Sequence, residues 1–199
     1  NKKSGEIYYL TEDGQIYKIS QAGEKQNTGS RATGNLSYIK PSTDGALALV
    51  ASGYPQNPPF AIHDTAKKSW QALPAGTMAA AWDPKSSNWL VYLKDNGATS
   101  RLNLLTLSDG RSKELLKFSQ KDLNLDWVSA DLVYFSERPS GQFPTSIRSY
   151  NLKTGTIKTV ASEELGLLIR WSPDGQIGIK WSGSSFNLVD PNNNQIAGF

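Results

Sequence analysis

The chain contains few residues of the types that catalytic sites use. Its 199 residues include one histidine, His63, and no cysteine. Cysteine nucleophiles, thiolate zinc sites and disulfide bonds are therefore excluded, and a Ser-His-Asp triad would have to use His63. His63 ends an apolar stretch and precedes a turn that begins at Asp64. We therefore expect it to be a solvated residue at the end of a strand, and neither a metal ligand nor a base.

Short motifs that signal nucleotide binding or nucleophilic catalysis are also absent. The sequence has no G-x-S-x-G elbow, no P-loop and no G-x-G-x-x-G fingerprint. We expect no catalytic residue, no cofactor and no enzymatic activity in this segment.

The acidic residues fall mostly in turns. Asp44, Asp131 and Asp174 recur in one type of turn, and others stand in further turns: Asp13, Asp64, Asp109 and Asp190. Turn chemistry explains this spacing, because an Asp side chain accepts hydrogen bonds from backbone N–H groups two residues ahead. The one grouping that could converge on a cation is Glu163 and Glu164 with Asp122 and Asp126, but a calcium site needs several carboxylates at one point. We predict no metal site.

Charge and hydropathy exclude two classes of partner. The formal net charge is +3 and the pI is about 9.0, yet the Lys and Arg residues are scattered, with Lys2-Lys3 and Lys67-Lys68 the only adjacent pairs. Without a basic stripe we expect no nucleic-acid binding. No apolar run approaches the roughly 18 residues that cross a bilayer, so we expect no membrane insertion by this segment.

The chain begins at Asn1 without a signal peptide, and we expect any targeting segment or anchor to lie upstream.

The residues are organised by a repeating strand–turn–strand unit. In the copy at residues 168–180, a β-rich run ends in Trp171, and Ser172-Pro173-Asp174-Gly175 then reverses the chain. Pro fixes φ, Asp binds the local backbone and Gly tolerates positive φ, so this stretch predicts a tight turn between two strands. In the second strand we expect Ile177 and Ile179 to point towards the buried face.

The unit recurs with a period in the forties. The first apolar residue after each opening turn repeats at intervals of 40, 43, 42 and 45 residues: Ile7, Leu47, Leu90, Leu132 and Ile177. A period of this length with four short strands in each unit is typical of β-propeller blades. Trp82, Trp127 and Trp171 end the first strand of three units, so we expect these rings to pack between blades.

The pattern predicts an all-β protein. No segment shows sustained 3.6-residue periodicity. We predict a β-propeller of about five four-stranded blades in a single domain, residues 1–199, with blades at approximately 1–34, 35–75, 76–119, 120–164 and 165–199. A two-sheet sandwich would fit the number of strands but not the regular period.

The first blade lacks its innermost strand, which would precede Asn1. Three arrangements are compatible with this gap: the strand is missing from this segment, a five-bladed ring closes with a three-stranded blade, or the chain is part of a larger ring. We expect the five-bladed ring.

Recognition residues are expected in the loops between second and third strands, which vary most. A propeller carries its tight turns on one face and its longer connections on the other. In two of these loops an aromatic residue stands among prolines, which lower the entropic cost of presenting the ring. We predict a partner site made by Tyr54, Arg138, Phe143 and Trp181. The alternative is that Tyr54 and Phe143 fold back onto their own blades.

Part of the repeat resembles a known family. Arg170-Trp171-Ser172-Pro173-Asp174-Gly175-Gln176-Ile177 resembles the W-S-P-D-G-x-x-I signature of the bacterial WD40-like repeats in TolB-like propellers. Residues 40–45 and 81–84 resemble degenerate copies of it. The Gly-His and Trp-Asp markers of true WD40 repeats are not repeated here, and the sialidase Asp-box is absent.

This resemblance implies an extracytoplasmic bacterial module, periplasmic, envelope-bound or secreted, that binds other proteins. Similar blades precede the hydrolase domain of prolyl-oligopeptidase-type enzymes and occur in sugar lyases. We therefore expect a non-enzymatic interaction module with a protein or peptide partner. The alternatives are an accessory propeller of a larger hydrolase or lyase, and a glycan-binding propeller.

Overall fold

The chain folds into β-sheets throughout the part that the structure describes. A computed structural model describes residues 5–11, 13–31, 36–54, 58–120, 122–172 and 174–199. Within these ranges there are five antiparallel sheets and no helix; one sheet has three strands and the other four have four each. In every sheet the strands neighbour one another in chain order, as expected for strands joined by short reversals. The predicted all-β fold class, with a three-stranded first blade, is confirmed.

The strand bounds are as follows. The first sheet contains β1 (Ile7–Leu10), β2 (Gln15–Ile19) and β3 (Lys25–Arg31), and the second contains β4 (Leu36–Pro41), β5 (Leu47–Ser52), β6 (Phe60–Asp64) and β7 (Ser69–Ala72). The third contains β8 (Thr77–Trp82), β9 (Trp89–Asp95), β10 (Ser100–Thr106) and β11 (Ser112–Phe118). The fourth contains β12 (Leu123–Ser129), β13 (Leu132–Glu137), β14 (Thr145–Asn151) and β15 (Ile157–Glu164), and the fifth contains β16 (Leu168–Trp171), β17 (Gly178–Ser182), β18 (Ser185–Val189) and β19 (Gln195–Gly198).

The chain divides into two compact units, at residues 1–78 and 79–199. In the first unit the core of the second sheet lies on its central strands. Leu49, Val50 and Ala51 of β5 are all buried, whereas every residue of the outer strand β7 is exposed. A strand that is covered on both faces carries a continuous apolar run, and a strand at the edge does not.

In the second unit the fourth sheet is buried on both faces. Trp127 and Phe135 pack in one apolar cluster with residues of the third sheet. Tyr134 and Ile147 pack in another cluster with Ile169 of the fifth sheet. Since neighbouring residues of a strand point to opposite faces, one strand, β13, supplies a side chain to each core.

Two of the three recurring tryptophans, Trp127 and Trp171, pack between sheets, as predicted. Trp127 lies in the core between the third and fourth sheets. The Trp171 ring of the fifth sheet lies 4.9 Å from the ring of Tyr134 in the fourth, in an edge-to-face arrangement that suits the charge distribution of aromatic rings.

One prediction about the fifth sheet was wrong. Ile177 is 47% exposed and precedes β17, and the position on the buried face is held by Gly178. A Cβ on Gly178 would stand 2.8 Å from the Trp171 ring. The tryptophan occupies the space that an aliphatic side chain would need, so this face accepts only a glycine at that point.

Candidate functional site

The second unit carries three loop segments that backbone hydrogen bonds join into one surface. They are the β13–β14 loop at residues 138–144, the β15–β16 connection at 165–167 and the β17–β18 turn at 183–184. Gly166 N donates to Ser140 O at 2.7 Å, and Gly183 N donates to Leu165 O at 3.1 Å. We call these three segments the loop ridge. Because these hydrogen bonds join the backbone of one loop to the backbone of the next, the three segments hold one another in place.

Phe143 is the most exposed of the predicted site residues in this ridge, with 69% of its surface accessible. Its position is fixed by the hydroxyl of Ser140, which accepts hydrogen bonds from the backbone N–H groups of Gln142 at 3.1 Å and Phe143 at 3.0 Å. Such side chain to backbone bonds stabilise a turn locally. The ring is therefore presented to solvent from an ordered loop.

Arg138 lies at the start of the same loop. Its Nη2 atom is 3.7 Å from Asp122 Oδ1, and both side chains are exposed. An exposed ion pair of this length contributes little to stability. The pair with Asp122 therefore holds the guanidinium only weakly.

Trp181 was expected in a loop between the second and third strands of the last blade, and this placement was wrong. It lies within β17 and pairs with Leu168 on one side and Phe186 on the other. Paired residues of antiparallel strands share a sheet face, so Trp181 is half-buried in a row of apolar side chains. It lies one residue before Ser182, the last residue before the loop ridge.

Tyr54 belongs to the first unit. Its ring lies 5.1 Å from the ring of Tyr38 and 6.2 Å from that of Phe60, and it is half-buried. Its backbone N–H donates to Ser37 Oγ at 2.7 Å. The structure thus brings Arg138, Phe143 and the end of the Trp181 strand to one ridge of the second unit, and it places Tyr54 in an aromatic cluster of the first unit. Residues 55–57 of the Tyr54 loop lie outside the described ranges.

Sequence reasoning missed Leu165, which is 47% exposed in the middle of the ridge. In the sequence, Gly166 marks a turn after Leu165 but not the contact of that turn with the neighbouring loops. In the structure, Gly166 and Gly183 adopt positive φ, at 65° and 55°. Positive φ allows the tight reversals in which the backbone N–H groups of these glycines reach the neighbouring loop.

The expectation that His63 is solvated was wrong, since the residue is only 2% exposed. Its ring lies 4.5 Å from the Trp70 ring, and Nε2 has no hydrogen-bond partner among the described residues. Burial lowers the pKa of His63, and the Asp64 carboxylate acts in the opposite direction. The strand places this side chain on the inner face of the second sheet, where it packs as an aromatic ring.

Carboxylates of the described residues form no metal-binding cluster with histidine or with one another. Glu163 adopts a positive φ of 60° at the irregular end of β15, and Asp122 a positive φ of 54° beside Arg138. The acidic residues in turns bind backbone instead. Asp174 Oδ1, for example, accepts from Gln176 N at 3.1 Å and from Ser172 Oγ at 2.6 Å.

The repeated four-stranded antiparallel sheets define the class: the fold is that of a TolB-like β-propeller. No family model matches the chain, and no curated protein matches it in sequence. Among the described residues there is no helix long and apolar enough to cross a membrane.

Several solved structures match the chain in fold. TolB from Acinetobacter baumannii matches with a TM-score of 0.67 and 14% identity over 98% of this chain and 52% of that chain. An oligogalacturonate lyase in complex with manganese matches with a TM-score of 0.68 and 13% identity over 100% of this chain and 63% of that chain. A prolyl endopeptidase structure matches with a TM-score of 0.67 and 12% identity, over 98% and 34%. The chain thus spans about half of the TolB and under two thirds of the lyase, and at these identities the similarity establishes the fold.

Proposed function

We propose that this chain is a non-enzymatic β-propeller module that binds a protein or peptide through the loop ridge. The observation that carries the proposal is the 69% exposure of Phe143 on a loop whose backbone is fixed by Ser140. A loop whose backbone is already ordered loses little conformational entropy on binding. Aromatic residues and Arg are also the types that dominate binding energy at protein interfaces.

Other residues of the ridge add apolar surface and a positive charge around the Phe143 ring. Leu165 adds exposed apolar surface, and Arg138 adds a cation whose ion pair with Asp122 is long and solvent-exposed. Trp181 stands where β17 enters the ridge. We propose Phe143 as the anchor, Arg138 as a contact for a partner carboxylate, and Trp181 as the apolar border.

Tyr54 is proposed as a contact residue of the first unit. Its packing against Tyr38 and Phe60 leaves the ring half-buried, so its contribution would come from one accessible side of the ring. We further propose an extracytoplasmic location for the full protein, which fractionation of cells that produce it would test.

Selection of a random peptide library on the purified chain tests the ridge. Peptides that bind the unmodified chain should bind Phe143→Ala at least about tenfold more weakly, as expected for an interface hot spot. Trp89→Ala is the matched control, because Trp89 is an exposed aromatic of the same unit that lies outside the ridge. Equal affinities for the unmodified chain and Phe143→Ala would contradict the proposal.

A second function has a specific observation in its favour, namely that the lyase and the prolyl endopeptidase match as well as TolB does. In this alternative the chain is the accessory propeller of a larger enzyme. The open reading frame around the segment separates the two: an adjoining catalytic domain would favour the enzyme, and a membrane anchor or small envelope domain would favour the binding module.

A further inference from the structure

A cleft of about 350 Å³ lies in the second unit, between the fourth and fifth sheets. It is bordered by the β14–β15 turn, which includes Thr154, and by the β18–β19 turn, which includes Asn192. The turns that join third to fourth strands lie at the opposite end of the sheets from the loops that join second to third strands. The cleft is thus separate from the loop ridge, and its volume falls at the lower end of the range for small-molecule sites, about 300–1,000 Å³.

The cleft is preformed, because hydrogen bonds between the two sheets hold its walls. Tyr134 Oη donates to Pro191 O at 2.9 Å, and Asn193 Nδ2 donates to Val160 O at 3.3 Å. Within the β18–β19 turn, outside the lining itself, the carboxylate of Asp190 accepts from the backbone N–H groups of Asn192 and Asn194, both at 2.8 Å. A rigid cavity binds without a large cost of ordering.

The walls are polar and nearly neutral. Hydroxyl and amide groups line them, and the hydroxyls of Thr154 and Thr156 lie 2.7 Å apart. Lys158 is the one charged side chain among the described residues that line the cleft. Asn193 Oδ1 is shielded from solvent and has no hydrogen-bond partner among the described residues, so this amide has an unused acceptor beside the cleft.

This lining excludes most classes of ligand. A metal ion would need carboxylate or imidazole groups, and none lines the cleft within the described residues. A phosphate group is usually held by several cations or by backbone N–H groups at a helix end, and the lining offers one lysine and no helix. An apolar ligand would leave the hydroxyl and amide groups without partners.

We propose that this cleft binds a neutral carbohydrate of one or two rings. Its hydroxyl groups would pair with the threonine hydroxyls, with the asparagine amides and with the Lys158 ammonium. The apolar residues of the lining, which include Leu132, Val160 and Pro191, would accept the C–H faces of the sugar. This inference does not rest on the proposed peptide binding at the loop ridge.

The test is saturation-transfer NMR followed by calorimetric titration with glucose, galactose, maltose, cellobiose and lactose at millimolar concentration. We expect at least one of these sugars to bind. Thr156→Trp places a large ring at the exposed rim and should abolish binding, and Lys158→Ala should weaken it about five- to tenfold. Lys113→Ala is the matched control, because Lys113 has the same position in the outer strand of the third sheet and should leave the affinity unchanged.

Phe143→Ala separates this proposal from the peptide site, since it should leave sugar binding intact. The proposal is overturned if none of the five sugars binds, or if a sugar binds equally well to Thr156→Trp. Circular dichroism of each variant verifies that a lost signal does not come from unfolding.

Discussion

At the scale of single residues, the hydrogen bonds of the turn acids could be predicted from the sequence, whereas the burial of His63 could not. The Asp174 turn forms the hydrogen bonds that its sequence predicts, and the Asp44 turn forms the same set: Ser42 Oγ donates to Asp44 Oδ1 at 2.9 Å, and Asp44 Oδ1 accepts from Ala46 N at 3.0 Å. These bonds are local, so sequence suffices to predict them. The burial of His63 depends on its packing against Trp70 of the paired strand β7, and the spacing of residues in the sequence does not reveal this contact.

The buried His63 predicts a pH dependence of stability. Burial lowers its pKa, so the unfolded chain takes up the proton more readily than the folded chain. Stability from this residue is present above the unfolded value of about 6.5 and is lost as the pH falls below it. The free energy of unfolding should therefore decrease from about pH 7.5 to about pH 5.5.

His63→Phe is the comparison, because phenylalanine keeps a ring against Trp70 and cannot titrate. Denaturant unfolding of this variant should show a flatter dependence over the same pH range. If both proteins lose stability equally, the histidine makes no contribution to the pH dependence.

At the scale of elements, contacts between neighbouring sheets fix positions that look like ordinary turn residues. Gly175 adopts φ 69°, as its turn requires. A Cβ at this position would also overlap the backbone carbonyl of Val128 in the fourth sheet. The turn of the fifth sheet thus packs directly against the backbone of its neighbour, and glycine satisfies two requirements at once.

Gly175→Ala should therefore destabilise the protein more than a turn glycine normally does. Gly110 is the matched control: it has the same φ of 69° in the β10–β11 turn, and a Cβ there would meet no atom within 4 Å. We expect Gly110→Ala to cost about 1 kcal/mol from the left-handed backbone, and Gly175→Ala to cost about 1–3 kcal/mol more from overpacking. Chemical denaturation measures both values, and equal losses would show that the contact with Val128 is easily relieved.

At the scale of the whole molecule, the sheets form the scaffold for the two proposed binding surfaces. The loop ridge and the polar cleft both lie in the second unit, at loops and turns that the sheets hold in position. Loops on a rigid scaffold are where binding residues concentrate. The first unit contributes the Tyr54 cluster, which stays a separate prediction.

The far-UV circular dichroism spectrum of the purified chain tests the global assignment. We expect a β-sheet spectrum without the double minimum of helices, because the described residues contain strands and no helix. A substantial helical signal would contradict the fold. On heating, loss of the β-sheet signal in one cooperative step would show that the two units unfold together, and loss in two steps would show that they unfold separately.

Sequence alone determined the period, the tight turns and the all-β class, because these depend on interactions between residues close in the chain. It also identified Phe143 and Arg138 as loop residues, since proline and variable length mark a loop. Tertiary structure decided the rest. Gly178 and not Ile177 lies on the buried face because Trp171 fills the space there. Leu165 joins the ridge, and the polar cleft forms, because segments distant in sequence meet across sheets, and such contacts leave no local pattern.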